Sequence, residues 1–397
     1  MREAVIVDVV RTASGRGKPG GALSGTHPVD LLSATLEALV ARTGIDPALI
    51  DDVIAGCVHQ AAEQSTNIAR SAVLAAGFPE HVPATTIDRQ CGSSQQAATY
   101  AAQAIISGFQ DIVIACGVES MSRVPMGLST LGEDFLGPKV HARYPDGLVN
   151  QGISAELISA RWGFSRAQLD DYSARSHRLA TDAVDSGLFT DEIIPISISD
   201  GDGAIRQHAH DETVRSATTV EGLAKLPASF YTDEYAGRFP QLQWVITPGN
   251  SSPFTDGASA ALIMSAERAK QLGLTPRARF VSFSVVGDDP LLMLTGPIPA
   301  TKKVLDRAGL GIADIDAFEV NEAFAPVPLA WAHDTGAPLE KLNPRGGAIA
   351  LGHALGSSGT RLLTTLVNQL EATGGRYGLQ TMCEGAGMAN ATIIERV

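Results

Sequence analysis

The stretch Asp88–Ala97, DRQCGSSQQA, stands between a strand-like run and a long segment rich in small residues. The run Ala84–Ile87 precedes it, and Gln95–Ser107 follows with helical composition and few helix breakers. The Gly-Ser-Ser after Cys91 indicates the beginning of a helix. A cysteine at this junction meets free backbone N–H groups and the positive end of the helix dipole, and both favour the thiolate. The stretch therefore suggests a nucleophile at Cys91, although most single cysteines are buried structural residues.

The composition is that of a globular enzyme with an acidic surface. The chain has 397 residues, more than one hydrophobic core usually holds, so two domains or a large α/β unit are expected. The formal net charge is −13 without a Lys/Arg cluster, which argues against nucleic acid or an anionic membrane as the main partner. No run approaches the ~18 apolar residues of a membrane span, and no signal peptide or C-terminal address is recognisable. We therefore expect a cytoplasmic protein.

The cysteine pattern agrees with that location. Cys57, Cys91, Cys116 and Cys383 lie far apart and form no CxxC pair. This spacing counts against a zinc site or a disulfide framework and suits a reducing compartment, so we expect no bound metal.

Strand-like and helical segments alternate in the first part of the chain. Strands are predicted at Ala4–Val10, Ile50–Cys57 and Ile112–Cys116, and a helix is predicted over Asp30–Thr43. Such alternation predicts βαβ units around a mostly parallel sheet. From residue 119 to about residue 249 the regular alternation of strands and helices is replaced by helical segments and by loops that contain Gly, Pro and Met. This pattern is typical of an inserted domain that carries binding loops.

The second part of the chain repeats the first. Ala278–Val286 matches Ala4–Val10, and IDAFEVNEAF at Ile315–Phe324 matches IDDVIAGCV. LGSSGTRLLTTLVNQL followed by LQTMCEGAG matches CGSSQQAATYAAQAI followed by DIVIACGVES. This order suggests an internal duplication that brings equivalent loops to one central crevice.

Three polar residues of the second half are predicted at strand ends or in a glycine-rich loop facing that crevice. Asn321 follows the strand Ala317–Val320, His353 lies in GGAIALGHALGSSG, and Cys383 follows the strand Gly378–Met382. Taken singly, Asn321 and His353 are more often loop-capping residues, and the adjacent Glu322 a solvated or salt-bridged carboxylate. Their shared placement with Cys91 favours a functional interpretation.

Several motifs in one order resemble the thiolase family, the acetyl-CoA C-acyltransferases, over essentially the whole length. They are CGSSQQA at Cys91–Ala97, GVESMSRVP at Gly117–Pro125, LAKL at Leu223–Leu226, NSSPFTDGASA at Asn250–Ala260, NEAFA at Asn321–Ala325, GGAIALGH at Gly346–His353 and CEGAG at Cys383–Gly387. The resemblance implies a five-layer αβαβα fold of two duplicated halves. Residues 1–118 plus 250–270 would form the N-terminal half, 119–249 a loop domain that binds coenzyme A and the acyl group, and 271–397 the C-terminal half.

The resemblance also implies a ping-pong acyl transfer in which coenzyme A is a substrate and no cofactor is permanently bound. Cys91 would be the nucleophile and His353 the group that takes its proton. Cys383 would protonate the leaving carbanion or remove an α-proton in the synthetic direction. His353 and a water held by Asn321 would form one oxyanion hole, and the N–H groups of Cys91 and Gly385 the other.

Positions in the predicted loop domain and nearby resemble the family's coenzyme A site. Ser252 matches a serine beside the pantetheine, and Arg215 an arginine near the nucleotide. Phe230 and Phe324 match apolar positions of the pantetheine and acyl channel. A homodimer or homotetramer is expected from the same resemblance.

The chain departs from the family pattern at several places. Ala354 replaces a common proline, and Glu384 and Ala386 alter the usual turn after Cys383. Asn150-Gln151-Gly152 stands where short-chain acetoacetyl-CoA thiolases usually carry His-Met-Gly, and an aromatic segment, Phe230–Trp244, precedes the serine loop. These departures favour a degradative 3-ketoacyl-CoA thiolase, although the segment is equally compatible with a surface or interface insertion.

Other functions are compatible with parts of this pattern. A biosynthetic acetoacetyl-CoA thiolase would use the same residues in the condensing direction. A decarboxylating ketosynthase of the superfamily would lack a second cysteine, so Cys383 argues against it. A non-catalytic acyl-CoA or lipid carrier would not need the complete set of Cys91, Asn321, His353 and Cys383.

Overall fold

The computed structural model describes residues 2–199 and 205–397. Its strands are β1 Ala4–Thr12, β2 Gly15–Arg16, β3 Asp52–Gly56, β4 Ala84–Ile87, β5 Ile112–Ser120, β6 Ile193–Ile194, β7 Ile196–Ser199, β8 Ile205–His208, β9 Thr255–Ser265, β10 Ala278–Gly287, β11 Ala317–Val320, β12 Tyr377–Glu384 and β13 Met388–Arg396. Its helices are α1 Pro28–Thr43, α2 Ile68–Ala75, α3 Ser93–Ser107, α4 Gly137–Arg143, α5 Gln151–Trp162, α6 Arg166–Asp185, α7 Val220–Leu223, α8 Asp233–Arg238, α9 Ala266–Leu272, α10 Pro297–Ala308, α11 Pro326–Thr335, α12 Ala348–Leu351 and α13 Ser358–Thr373.

The main sheet has the order β11-β12-β13-β10-β1-β9-β5-β3-β4, and its two ends repeat one another. In the first half, β9 pairs antiparallel with β1 and β5, and β3 pairs parallel with β5 and β4. In the second half, β13 pairs antiparallel with β10 and β12, and β11 pairs parallel with β12. A parallel bridge between Phe318 and Leu342 takes the position of β4. The predicted duplication is confirmed by this repeated topology.

The prediction of a mostly parallel sheet is wrong. Along the strand order, the parallel pairs lie at the two ends of the sheet, where helical crossovers connect neighbouring strands. The two-residue strand β6 also pairs parallel with β1, beside this order. In the middle, β9, β1, β10 and β13 pair antiparallel in succession. β9 returns to the sheet only after the long intervening region, and hydrophobic patterning does not determine the direction in which a returning strand runs.

Helices form three layers around the two halves of the sheet. α3 and α13 contact each other and strands of both halves, so they form a central layer. α3 and α13 are buried on nearly every side of their first two turns. α1 and α2 cover the first half on its other face, and α10 and α11 cover the second. This is the five-layer αβαβα arrangement.

The region between β5 and β9 contains α4 to α8 and the hairpin of β7 and β8. Residues 200–204 of the predicted loop domain 119–249 lie outside the described residues. The domain boundaries themselves stay a prediction. Within the described ranges, no helix has the length and apolar character needed to cross a membrane.

Candidate active site

Cys91 lies in the tight connection between β4 and α3. Its side chain is 4% exposed and packs with Met121 and Leu355. Gln90 has a left-handed φ of 49°, and the N–H of Ser93 donates to Gln90 O at 3.0 Å, which turns the chain into the helix. The predicted position of Cys91 before a helix is therefore confirmed.

The expectation that this position favours the thiolate is wrong, because burial outweighs the helix dipole. Burial raises the pKa of Cys91 well above its usual value, and the nearby Cys383 and Glu384 raise it further. A helix N-terminus contributes about 0.3–1 kcal/mol, whereas the loss of hydration of a fully buried charge shifts pKa values by several units. Cys91 is accordingly a neutral thiol that needs a base.

His353 has the protonation state that such a base requires. It lies after α12 and is 4% exposed. Burial, with a contribution from Arg361, lowers the pKa of His353 to about 3, so the imidazole is neutral at physiological pH. The hydroxyl of Ser358 donates to Ala354 O at 2.8 Å and lies 2.6 Å from His353 Nδ1. Because that hydroxyl has a single proton, Nδ1 carries the imidazole proton and Nε2 keeps its lone pair.

Asn321 connects His353 to Cys383. Its Nδ2 is 3.3 Å from His353 Nε2, and its side chain is close enough to Cys383 to affect the pKa of that thiol. Burial raises the pKa of Cys383 to about 12, although Asn321 works in the opposite direction. Cys383 is therefore a neutral thiol able to give up a proton to a strong base such as an enolate. The structure brings these three predicted residues together.

Gly385 lies in the turn from β12 to β13 and faces the nucleophile stretch. A Cβ at this position would stand 2.9 Å from Gln90 Oε1, the end of a flexible side chain, so the two segments approach each other closely here. The same turn places Glu384 beside Gly92, next to Cys91. The two predicted oxyanion-hole residues, Cys91 and Gly385, thus belong to segments in contact.

Glu322 of the NEAFA motif is buried, neither solvated nor in a salt bridge with a described residue. Its carboxylate accepts hydrogen bonds from Tyr172 Oη at 2.8 Å, Ser176 Oγ at 2.7 Å, Asn343 Nδ2 at 2.8 Å and Ile349 N at 3.1 Å. These donors come from α6 and from the segment leading to His353. Glu322 therefore holds the histidine loop against α6.

Three further residues that the sequence analysis did not select support the site. Thr255 Oγ1 accepts from His353 N at 2.9 Å, and Ser358 fixes the imidazole. Glu119 accepts from the N–H of Gly356 and of Val58, both at 2.9 Å, and so joins the two halves. All three lie in segments already singled out: Thr255 in NSSPFTDGASA, Glu119 in GVES and Ser358 in the repeated Gly-Ser-Ser.

The four residues predicted to bind coenzyme A divide into two groups. Ser252 Oγ donates to Ala323 O at 3.1 Å, and its neighbour Ser251 forms a bridge with Phe324. Phe230 packs edge-on against Phe324 with ring centroids 6.1 Å apart. These three line one region next to Asn321. Arg215 lies apart from them: it is exposed, and its N–H donates to His177 Nδ1 at 3.2 Å.

The aromatic segment Phe230–Trp244 is anchored by a few buried side chains, whereas more than half of its residues are exposed. Phe239 and Leu242 are buried against Val149 and Ile153 of the α5 region. These contacts fix the segment beside α5, and Phe230 extends them to Phe324 near Asn321.

A buried nucleophile after β4, a neutral imidazole after α12 and a second thiol near the end of β12 form the reactive set of a cysteine-dependent acyltransferase. The family model described as the thiolase N-terminal domain matches residues 4–267, and that of the thiolase C-terminal domain matches residues 274–396. The chain belongs to the thiolase family.

Relatives match over the full length. The chain is 46% identical to a steroid 3-ketoacyl-CoA thiolase of Mycobacterium tuberculosis, covering 100% of this chain and 95% of the relative. It is 45% identical to a 3-ketoacyl-CoA thiolase of Salmonella typhimurium, covering 100% of both. The crystal structure of the Bacillus anthracis acetyl-CoA acetyltransferase superimposes with a TM-score of 0.90 at 36% identity, covering 100% of this chain and 99% of that one.

Proposed function

We propose that the protein cleaves a 3-ketoacyl-CoA with coenzyme A to acetyl-CoA and a shortened acyl-CoA, as a degradative thiolase of β-oxidation. The observation that carries the proposal is the buried Asn321 side chain, which lies 3.3 Å from His353 Nε2 and adjoins Cys383, whose charge in turn acts on Cys91. The two full-length relatives named as 3-ketoacyl-CoA thiolases favour this direction over biosynthetic condensation.

In the first half-reaction, the Cys91 thiol gives its proton to Nε2 of His353, and the sulfur attacks the keto carbon of the substrate. The bond between the α-carbon and that carbon then breaks, which leaves an acyl group on Cys91 and an acetyl-CoA enolate. Cys383 donates its proton to the enolate carbon. The neutral states of all three groups support this order, because each proton starts where the reaction needs it.

In the second half-reaction, the thiol of coenzyme A loses a proton to the Cys383 thiolate and attacks the acyl-Cys91 thioester. Cys91 leaves as a thiolate and recovers its proton from His353. The protein returns to its starting state. Overall, the acyl group has moved to the sulfur of coenzyme A, and the hydrogen of that thiol is balanced by the one added to the enolate carbon of acetyl-CoA.

Both half-reactions develop negative charge on oxygen and require donors aimed at it. We assign one donor set to His353 and Asn321, and the other to the N–H groups of Cys91 and Gly385. The contact between the Gly385 turn and Gln90 supports the second assignment. Cys383 also argues against a decarboxylating ketosynthase, and the complete hydrogen-bonded set argues against a non-catalytic carrier.

For coenzyme A we propose Ser252 and Phe324 beside the pantetheine and Arg215 at the nucleotide. An exposed arginine supplies local positive charge for phosphate on a chain whose net charge is −13. The packing of Phe230 against Phe324 supports a role for both rings in the wall of the substrate channel.

We further propose that the acyl pocket accepts groups larger than acetyl, with Phe230–Trp244 as part of its wall. The segment packs next to the strand end of Asn321, which is the side from which an acyl chain would extend. The relative from Mycobacterium tuberculosis is named for a steroid substrate, so bulky alicyclic acyl groups belong in the comparison.

The test follows the absorbance of the Mg²⁺–enolate of 3-ketoacyl-CoA substrates after addition of coenzyme A. Acetoacetyl-CoA, a medium-chain ketoacyl-CoA and a bulky alicyclic ketoacyl-CoA are compared. We expect turnover, and faster turnover of the larger substrates. Protein that turns over none of them would refute the function.

Cys91→Ala provides the direct control. Wild-type protein incubated with substrate and no coenzyme A should gain the mass of one acyl group, and Cys91→Ala should gain none. An undiminished adduct in the variant would remove Cys91 from its role.

We also propose a cytoplasmic homodimer or homotetramer with a division into the halves 1–118 plus 250–270 and 271–397 and the loop domain 119–249. The repeated topology supports the two halves. Sedimentation analysis would determine the assembly.

A further inference from the structure

Glu384 is a buried carboxyl group beside the nucleophile that the catalytic scheme does not use. It is the last residue of β12, directly follows Cys383 and is 0% exposed. Its side chain lies against the beginning of α3, since a Cβ on Gly92 would stand 2.0 Å from Glu384 Oε1. Gly92 is the residue after Cys91, so the carboxyl lies against the neighbour of one reacting thiol and belongs to the residue after the other.

The carboxyl group has an environment that does not stabilise a charge. Among the residues that the structure describes, neither oxygen of Glu384 has a hydrogen-bond partner. The neighbouring Asn390 donates its Nδ2 to Gly92 O at 3.0 Å, and its Oδ1 is also without a hydrogen-bond partner among the described residues. Burial raises the pKa of Glu384 to about 8, opposed by Arg89 and reinforced by Asp88. At neutral pH Glu384 is therefore mostly an uncharged acid.

The charge of Glu384 acts on both thiols. After burial and Cys383, Glu384 is the next cause that raises the pKa of Cys91, and it also raises the pKa of Cys383. The other charged groups that face this region are Asp88, Arg89 and Glu119. Ionisation of Glu384 therefore places a negative charge next to the sulfur that must itself become negative.

We propose that Glu384 is an electrostatic switch on the nucleophile: as an uncharged acid it allows Cys91 to pass its proton to His353, and as a carboxylate it opposes that transfer. The inference rests on the proposed role of Cys91. Glu384 exchanges no proton with the substrate and is a positioning residue that acts through charge.

The test is the rate of Cys91 alkylation by iodoacetamide between pH 6.5 and 9.5, assigned to Cys91 by peptide mass spectrometry. Glu384→Gln keeps the shape and cannot ionise. We expect it to react about tenfold faster than wild type at pH 9.5 and within about twofold at pH 6.5, because a nearby unit charge in a buried site shifts a pKa by about one unit. Glu267→Gln, which removes an exposed charge on α9, should follow wild type throughout. If the ratio of the Cys91 alkylation rate in Glu384→Gln to that in wild type does not change with pH, the proposal is overturned.

Wild-type protein alone provides a second measurement if Glu384→Gln does not fold. Below the pKa of a thiol, the logarithm of its alkylation rate rises with a slope of one per pH unit. The proposal requires this slope to fall to less than one when the pH exceeds about 8. A slope that stays at one up to pH 9.5 would overturn the proposal. Thiolysis is measured on the same wild-type preparation. Inactive wild-type protein would refute the proposed function, whereas active protein with a pH-independent ratio would refute only the role of Glu384.

Discussion

Ser358 offers a direct test of the proposed state of His353. Its hydroxyl donates to Ala354 O and accepts from His353 Nδ1 at 2.6 Å, which keeps the lone pair of Nε2 available for the Cys91 proton. In Ser358→Ala, the buried Nδ1–H loses its acceptor, and only the longer 3.3 Å contact of Asn321 Nδ2 with Nε2 still favours this tautomer.

The magnitude follows from the burial of the pair. An unsatisfied buried donor costs about 1–3 kcal/mol, and a tenfold change in rate corresponds to about 1.4 kcal/mol. If the imidazole avoids this cost by changing its tautomer or orientation, the reactive arrangement must be restored in the transition state. The activation free energy then rises by the same amount. We therefore expect kcat/KM for thiolysis to fall about 5- to 150-fold.

The assay is steady-state thiolysis at neutral pH with a matched control. Ser173 is equally buried, and its Oγ donates to Leu169 O at 2.8 Å within α6, so Ser173→Ala removes a similar bond that does not involve His353. We expect Ser173→Ala to retain activity within about twofold. Equal losses in the two variants, or a Ser358→Ala variant within twofold of wild type, would refute the tautomer argument.

Three other predictions concern different parts of the site. Cys383→Ser should slow deuterium exchange into the methyl group of acetyl-CoA by about a hundredfold or more, with acylation of Cys91 nearly unchanged; equal losses in both would contradict the division of labour. Gly347→Ala would place a Cβ 2.2 Å from Glu322 Cδ, so urea denaturation should show a free energy of unfolding lower by about 1–3 kcal/mol. Gly311→Ala, where a Cβ meets no atom closer than 3.6 Å, should change that free energy little. Equal stability of the two variants would contradict this packing. Burial lowers the pKa of His353 from 6.5 to about 3. Between these pH values the unfolded state therefore binds a proton that the folded state does not. The free energy of unfolding should fall as the pH falls, by up to about 1.4 kcal/mol per pH unit. His353→Asn should remove that part of the slope in urea titrations at pH 4–6.5, and identical slopes would contradict it.

The parts of the fold that depend on local composition were predictable from the chain. β4 has the predicted bounds Ala84–Ile87, β11 has the predicted bounds Ala317–Val320, and α3 begins two residues before the predicted segment. The repeated Gly-Ser-Ser and the strands around it predicted the duplication, because each half repeats the same local signals in the same order. The direction of the central strands was predicted wrongly, since pairing across the sheet joins segments more than 200 residues apart, such as β1 and β9.

The sequence by itself determined which residues meet at the site, because Cys91, Asn321, His353 and Cys383 stand at strand ends or next to a helix start, and the duplication makes those ends equivalent. Only the tertiary structure decided their ionisation and their partners. Burial overcomes the helix dipole at Cys91, Ser358 sets the proton position on His353, and the turn after Cys383 places Glu384 against Gly92. A local pattern predicts where a side chain begins, whereas its pKa depends on water excluded and charges supplied by segments distant in the chain.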